Sequence, residues 1–215
     1  MLKPKSLLTF VIAILFNSQG VMAADIAPGA QNFRFALPDN YAVVEHQVNP
    51  VLQGGSATFS PQIQVGKNAT ETKIIRLQTY LADYYPAVLS ELGVNKPKEF
   101  LNTILETQLT SACAKFTVNL GKVRNSDGVT RVNWWTSCKL NEQESSYQIE
   151  RGRMFLSAAG GYFISHINQS TNKHHAFSKR EVKWFDKYIY NSGFCTAGKN
   201  CGQEGALVAQ LFTEK

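Results

Sequence analysis

Ala114-Lys115-Phe116-Thr117-Val118-Asn119-Leu120, answered by Arg131-Val132-Asn133-Trp134-Trp135-Thr136-Ser137-Cys138-Lys139-Leu140, is the stretch on which the fold turns. Apolar residues recur at every second position: Ala114, Phe116, Val118 and Leu120 in the first run, Val132, Trp134 and Leu140 in the second. Successive side chains of a strand point to opposite faces, so this alternation makes one apolar and one polar side. Asn125-Ser126-Asp127-Gly128 is a turn signal, and the two runs read as an antiparallel hairpin. Setting the apolar sides together pairs residue 118 with 134 and places 114 opposite 138.

The polar side of this hairpin is the candidate site. Lys115, Thr117 and Asn119 line it, joined by Arg131, Asn133, Trp135, Ser137 and Lys139. Arg151 and Arg153 of the following run extend it, but the apolar parity there moves from Tyr147 and Ile149 to Met154 and Leu156. That change crosses Gly152, where a bulge would serve, and it leaves the side of the two arginines open. A flat face bearing cations and one tryptophan suits an anionic or glycan ligand, through charge and ring stacking. The competing reading is a solvated sheet face with Trp135 covered by a helix or loop. The residues assigned to ligand binding are Lys115, Arg131, Asn133, Trp135, Lys139, Arg151 and Arg153.

Upstream of the hairpin, Phe33–Leu37 alternates like a strand and stops at Pro38-Asp39-Asn40. Tyr41–Val48 is a second strand, and Ala57–Val65 holds one or two more around Pro61. From Thr70 the period changes. Ile74, Leu77, Leu81, Tyr84, Val88 and Leu92 recur at three and four residues, which predicts a helix ending at Gly93 and kinked at Pro86. A second helix begins at Pro97, with Phe100, Leu101, Ile104, Leu105 and Leu109 as its apolar stripe.

Downstream, Ser145–Leu156 and Tyr162–Asn168 form a further hairpin turning near Gly160-Gly161. Phe177-Ser178-Lys179-Arg180-Glu181-Val182 combines a capping box, Ser178 with Glu181, and a hydrophobic staple, Phe177 with Val182. It opens a helix whose Val182, Phe185, Tyr188 and Ile189 face inward and which ends at Gly193. Ala206–Phe212 is a short terminal helix. Strands, then helices, then an antiparallel meander, then a helix describe an α+β domain over residues 32–215.

Phe33-Arg34-Phe35-Ala36-Leu37-Pro38-Asp39-Asn40-Tyr41 resembles the opening strand and turn of PsbP-like domains, and the later order of elements is similar to that fold. The resemblance implies an α/β/α sandwich and an accessory or binding role, and it carries no catalytic residues. The helix from Pro97 and the cysteine-rich tail depart from it.

Residues 1–23 read as a signal peptide: Lys3 and Lys5, an apolar run Leu7–Phe16, and a small-residue end at Val21-Met22-Ala23. The run is about half the ~20 residues a spanning helix needs. Cleavage near Ala23 leaves residues 24–31 as a flexible lead-in, and a secreted or periplasmic protein without a transmembrane segment. In such a compartment Cys113, Cys138, Cys195 and Cys201 suggest two disulfides, with Cys195–Cys201 closing a short loop and Cys113–Cys138 remaining. Strict pairing sets Cys113 one residue out of register with Cys138. A bulge near Trp134-Trp135, or Cys113 at the end of the preceding helix, reconciles them.

Loss of Lys3 and Lys5 lowers the formal net charge from +6 to +4, an excess too small to imply nucleic-acid binding. No P-loop, dinucleotide fingerprint, G-x-S-x-G or H-E-x-x-H occurs. His166, His174 and His175 fall within ten residues but read as solvent-exposed loop histidines without a nearby ligand set, so neither a metal nor a cofactor is expected. Asn68-Ala69-Thr70 and Asn168-Gln169-Ser170 match the glycosylation pattern. The sequence therefore points to a non-enzymatic exported protein that binds a ligand or partner, in the manner of a virulence or host-interaction factor. The alternative is a secreted hydrolase assembled from separate segments, with His166 as its base.

Overall fold

A computed structural model of the chain describes residues 33–35, 37–38, 40–49, 54–61, 71–81, 96–141, 146–157 and 160–194. The strands and helices in chain order are β1 (Phe33–Arg34), β2 (Tyr41–Asn49), β3 (Gly54–Pro61), β4 (Glu71–Leu81), α1 (Pro97–Ala112) and β5 (Cys113–Ser126). They continue with β6 (Val129–Leu140), β7 (Tyr147–Ser157), β8 (Gly160–Ser170), α2 (Lys179–Asn191) and β9 (Gly193–Phe194). Seven strands form one sheet in the order β2-β3-β4-β8-β7-β6-β5, every neighbouring pair antiparallel, while β1 and β9 make a short separate ribbon. The fold is α+β in the broad sense and largely β. The expected signal peptide, the lead-in, the Cys195–Cys201 bridge, the terminal helix and the Asn68 acceptor lie outside the described residues.

The expected helix from Thr70 is overturned where it can be seen. Glu71–Leu81 is strand β4, bonded to β3 on one side and β8 on the other. Ile74 and Leu77 fit helical spacing, but Ile75, Leu77 and Thr79 fit alternation as well, and all three are buried. Ile75 and Leu77 stand across from Phe59 and Ala57 on β3 and from His166 and Ile164 on β8. Thr72, Ile74, Ile75 and Thr79 are β-branched, which favours the extended chain once a half-buried pleated surface is available on both sides. The rest of that expected helix, with Pro86 and Gly93, lies outside the described residues.

The decisive hairpin forms, with a register two residues away from the expected one. Phe116 faces Cys138, Val118 faces Thr136 and Leu120 faces Trp134. A slip of two keeps every side chain on its face. The turn is tight, with Asp127 at φ 54° and Gly128 at φ 72°, the pairing that matches strand twist in a two-residue hairpin loop. Cys113 caps the end of α1 and opens β5, and the ladder is irregular between Cys113 and Lys115. Ala114 is thereby exposed instead of facing the core, and Cys113 reaches Cys138 in a disulfide with a Cα–Cα separation of 5.6 Å. The helix end reconciles the two cysteines, and the ladder also has an irregularity beside Trp134, where β5 slips between Leu120 and Val123.

The expected bulge at Gly152 is absent: β7 keeps unbroken register with β6 and β8 from Tyr147 to Ser157. The glycine makes room for Trp134. A Cβ there would lie 2.3 Å from the indole Cζ2 and 2.5 Å from the Ile164 carbonyl oxygen. The parity change arises because both faces of β7 become apolar. Met154 and Leu156 cluster with Phe100, Leu101, Leu105, Val132, Trp134 and Phe163, which includes the buried stripe of α1. Phe155 clusters instead with Phe33, Phe59, Ile75, Leu77, Tyr162 and Ile164, together with Phe185 and Ile189 of α2. Neighbours on one strand, Met154 and Phe155, belong to opposite faces.

α2 begins where the capping box predicts. The Ser178 hydroxyl accepts from the Glu181 amide at 3.2 Å, and the Ser178 amide donates to the Glu181 carboxylate at 2.8 Å. The helix ends at Asn191, two residues before Gly193, and the Ser192 hydroxyl donates to the Tyr188 carbonyl at 2.9 Å. β1 is shorter than the alternation of Phe33–Leu37 suggests, and Tyr41 donates to the Pro38 carbonyl to close the following turn.

Candidate functional site

Register decides which side chains share a face. Trp135 stands between Asn119 on β5 and Arg151 on β7, and Asn133 stands opposite Arg153. Lys115 faces Lys139, and Thr117 faces Ser137. With β7 unbulged, alternation carries Lys115, Thr117, Asn119, Arg131, Asn133, Trp135, Ser137, Lys139, Arg151 and Arg153 to one side of the sheet. All seven residues singled out in the sequence therefore stand on a single face. The same face continues across Arg151 and His166 into the apolar cluster under α2.

A further cation joins them that alternation alone hides. Counting from Phe116, Val118 and Leu120, residue 124 would sit on the apolar side. The ladder slips between Leu120 and Val123, and beyond it Val123 pairs with Val132 while Arg124 pairs with Arg131. One extra residue in β5 thus moves Arg124 onto the polar face.

The arginines are held in place by neutral groups and rings more than by acids. Arg131 donates through Nη1 to the Ser126 hydroxyl at 2.8 Å, and to the Ser126 and Val129 carbonyls. Arg153 donates through Nε to Asn133 Oδ1 at 2.6 Å and lies 5.9 Å from the centre of the Phe155 ring. Arg151 lies 5.9 Å from the Phe185 ring and donates to Asp186 at 2.7 Å. Burial presses the Arg153 pKa down, Asp186 works against it, and the charges of Arg124, Arg131 and Arg151 press it down further. Three guanidiniums thus act on that of Arg153 against one carboxylate, which leaves its surroundings electropositive.

Trp135 is 52% exposed, so neither a described helix nor a loop covers it. Asn133, Ser137 and Lys139 are exposed as well, and Thr117 and Ser137 share a hydrogen bond of 2.7 Å. An indole plane lying open beside a set of guanidinium forks can stack on a sugar ring while the forks take oxoanions.

No protein-family model matches the chain, and no curated protein matches its sequence.

The histidines do not assemble a reaction centre among the described residues. Contrary to the solvent-exposed expectation, His166 lies on β8 and is 1% exposed. It is boxed by the rings of Phe177, Trp184 and Phe185 at 4.8 to 5.3 Å, and neither ring nitrogen has a hydrogen-bond partner among the described residues. Burial lowers its pKa to about 4; Glu181 opposes the shift and the charges of Lys73 and Arg151 add to it. Ser165 belongs to the opposite face. His174 is exposed, but His175 is buried, contrary to the solvated-loop expectation, with its ring nitrogens at 2.7 Å from the Asn172 carbonyl and 3.2 Å from the Asn168 carbonyl. Among the described residues no three histidines, cysteines or carboxylates gather as a metal site. Asn168 is 1% exposed, which closes its glycosylation pattern to a folded-state enzyme.

Proposed function

We propose that the chain is an exported, non-enzymatic binding protein that takes an anionic or glycan ligand on the open face of β5, β6 and β7. The observation that carries this reading is Trp135, half exposed on the face that also carries Arg124, Arg131, Arg151 and Arg153. Folding leaves an arginine cluster with little internal compensation at a cost in self-repulsion, which a bound anion relieves. The Cys113–Cys138 bridge supports export through an oxidising compartment, in keeping with residues 1–23 as a leader. No helix among the described residues is long and apolar enough to cross a membrane. In architecture we propose three layers, α1 and α2 on opposite faces of the sheet, as the resemblance to PsbP-like domains implies. The hydrolase reading draws no support from His166, boxed in by rings and without a hydrogen-bond partner among the described residues.

Joint replacement of Arg131 and Trp135 by alanine tests the site. With a panel of sulfated, carboxylated and neutral glycans on a biosensor surface, the wild-type chain retains anionic members and the double variant loses them. Equal retention by both proteins removes the site.

A further inference from the structure

The cations on the open face form a track along one strand. Arg131, Asn133, Trp135, Ser137 and Lys139 occupy alternate positions of β6, which spans ~26 Å from the first to the last at the usual rise per residue. Arg124 and Arg131 stand at its turn-proximal end, Arg153 beside Asn133 and Arg151 beside Trp135 at the middle, and Lys115 and Lys139 face each other at the other end. Such a layout suits a long ligand with repeated charges better than one compact anion. We infer that the ligand is a linear sulfated or uronate-bearing polysaccharide lying along β6, and that Arg124 belongs to its site; this rests on the binding face proposed above.

Three features select this chemistry. Guanidinium forks match the paired oxygens of sulfate and carboxylate, and the cations from the turn-proximal end of the track to its middle are all arginine. A single exposed ring serves one sugar, whereas single-stranded nucleic acids are held by aromatic platforms for successive bases. Lipid surfaces are met by apolar side chains that enter the interface, and on this track Trp135 is the one large exposed apolar residue. Sequence alternation assigns Arg124 to the other face, so its placement here follows from the ladder slip alone.

Calorimetry of the mature full-length protein with heparin-derived oligosaccharides, from disaccharide to decasaccharide, reads the track directly. Affinity rises with length until the ~26 Å of strand is covered, and falls as salt is raised. Arg124→Ala weakens the longest probe about tenfold, the loss of roughly one charge-assisted contact. Lys179→Ala, an equal loss of charge at the exposed start of α2, leaves the affinity within about twofold. Arg124→Lys keeps the charge without the fork and falls between, with an unchanged thermal midpoint showing that each variant is folded. The inference is overturned if Arg124→Ala and Lys179→Ala bind alike, if inorganic sulfate binds as well as the decasaccharide, or if a single-stranded oligonucleotide of equal charge binds more tightly. Length-independent binding that still needs Arg131 and Trp135 overturns the polysaccharide and leaves the face. Binding that ignores Arg131 and Trp135 removes both.

Discussion

One face of the sheet is built in two ways on either side of β7. Toward β8, β4 and β3 it presents Tyr162, Ile164, His166, Ile75, Leu77 and Phe59, nearly all inaccessible to water and closed over by Trp184, Phe185 and Ile189 of α2. Toward β6 and β5 it presents Arg131, Asn133, Trp135, Ser137, Asn119 and Lys115. Arg151 and Arg153 sit on the border and serve both halves, laying their cationic ends near the rings of Phe185 and Phe155 while adding charge to the open side. The same pleat thus supplies a rigid support from one half and a recognition surface from the other. The charged half borrows its order from the apolar half, because the border arginines are fixed by rings and by Asp186 on α2.

The largest expected break in this contrast is Phe185→Ala. It empties a buried site at the centre of the covered half and costs about 3–5 kcal/mol in urea unfolding. A cost under about 1 kcal/mol would mean that α2 contributes little packing there.

Acid comes next. The His166 pKa is lowered to about 4 when folded, against an ordinary value near 6.5, so the unfolded chain binds the proton first. Stability therefore falls as pH drops from about 6.5 to about 4 and then levels for this group, by on the order of 3–4 kcal/mol at most. Glu181 acts lower down. Burial pushes it up, but hydrogen bonds from Lys73 and Ser178 prevail and pull it to about 2, so its contribution is complete above its ordinary range and fades as pH falls toward 2. His166→Phe keeps the aromatic box and should flatten the upper window alone. An unchanged upper window would move the acid sensitivity to another group.

The smallest expected effect sharpens the comparison from the open side. The joint change of Arg131 and Trp135 to alanine, which removes binding, costs no more than about 0.5 kcal/mol of stability in the same unfolding experiment. A loss of several kcal/mol would make these two residues structural.

How much of this was legible in the sequence differs between the same two regions. From Lys115 to Leu120 β5 alternates, as β6 does, because one side meets α1 and the other meets water. The face of Lys115, Arg131, Asn133, Trp135 and Lys139 could therefore be read from periodicity, while that of Arg151 and Arg153 was left open by the parity change at Gly152. β4 has hydrogen-bonded neighbours on both sides and apolar residues on both faces, and Ile74, Ile75 and Leu77 then mimic a helical stripe. The β-branched Thr72, Ile74, Ile75 and Thr79 lean locally toward a strand, and the neighbours on both sides decide it. Gly152 was read as a bulge because its partner, the Trp134 indole, lies 18 residues away in the chain. Arg124 was missed for the complementary reason: a real slip between Leu120 and Val123 reverses its side, and its one sequence trace is the shift of apolar parity from Leu120 to Val123 across Gly121. The capping box at Ser178 was legible because all its partners lie within one turn.

Backbone NMR of the labelled protein, titrated with a sulfated oligosaccharide long enough to span β6, tests the account most directly. We expect shifts concentrated at residues 115–119, 124, 131–139 and 151–153, with β2, β3 and the buried stripe of α2 undisturbed. Shifts centred on β2 or α2, with β6 silent, would contradict it.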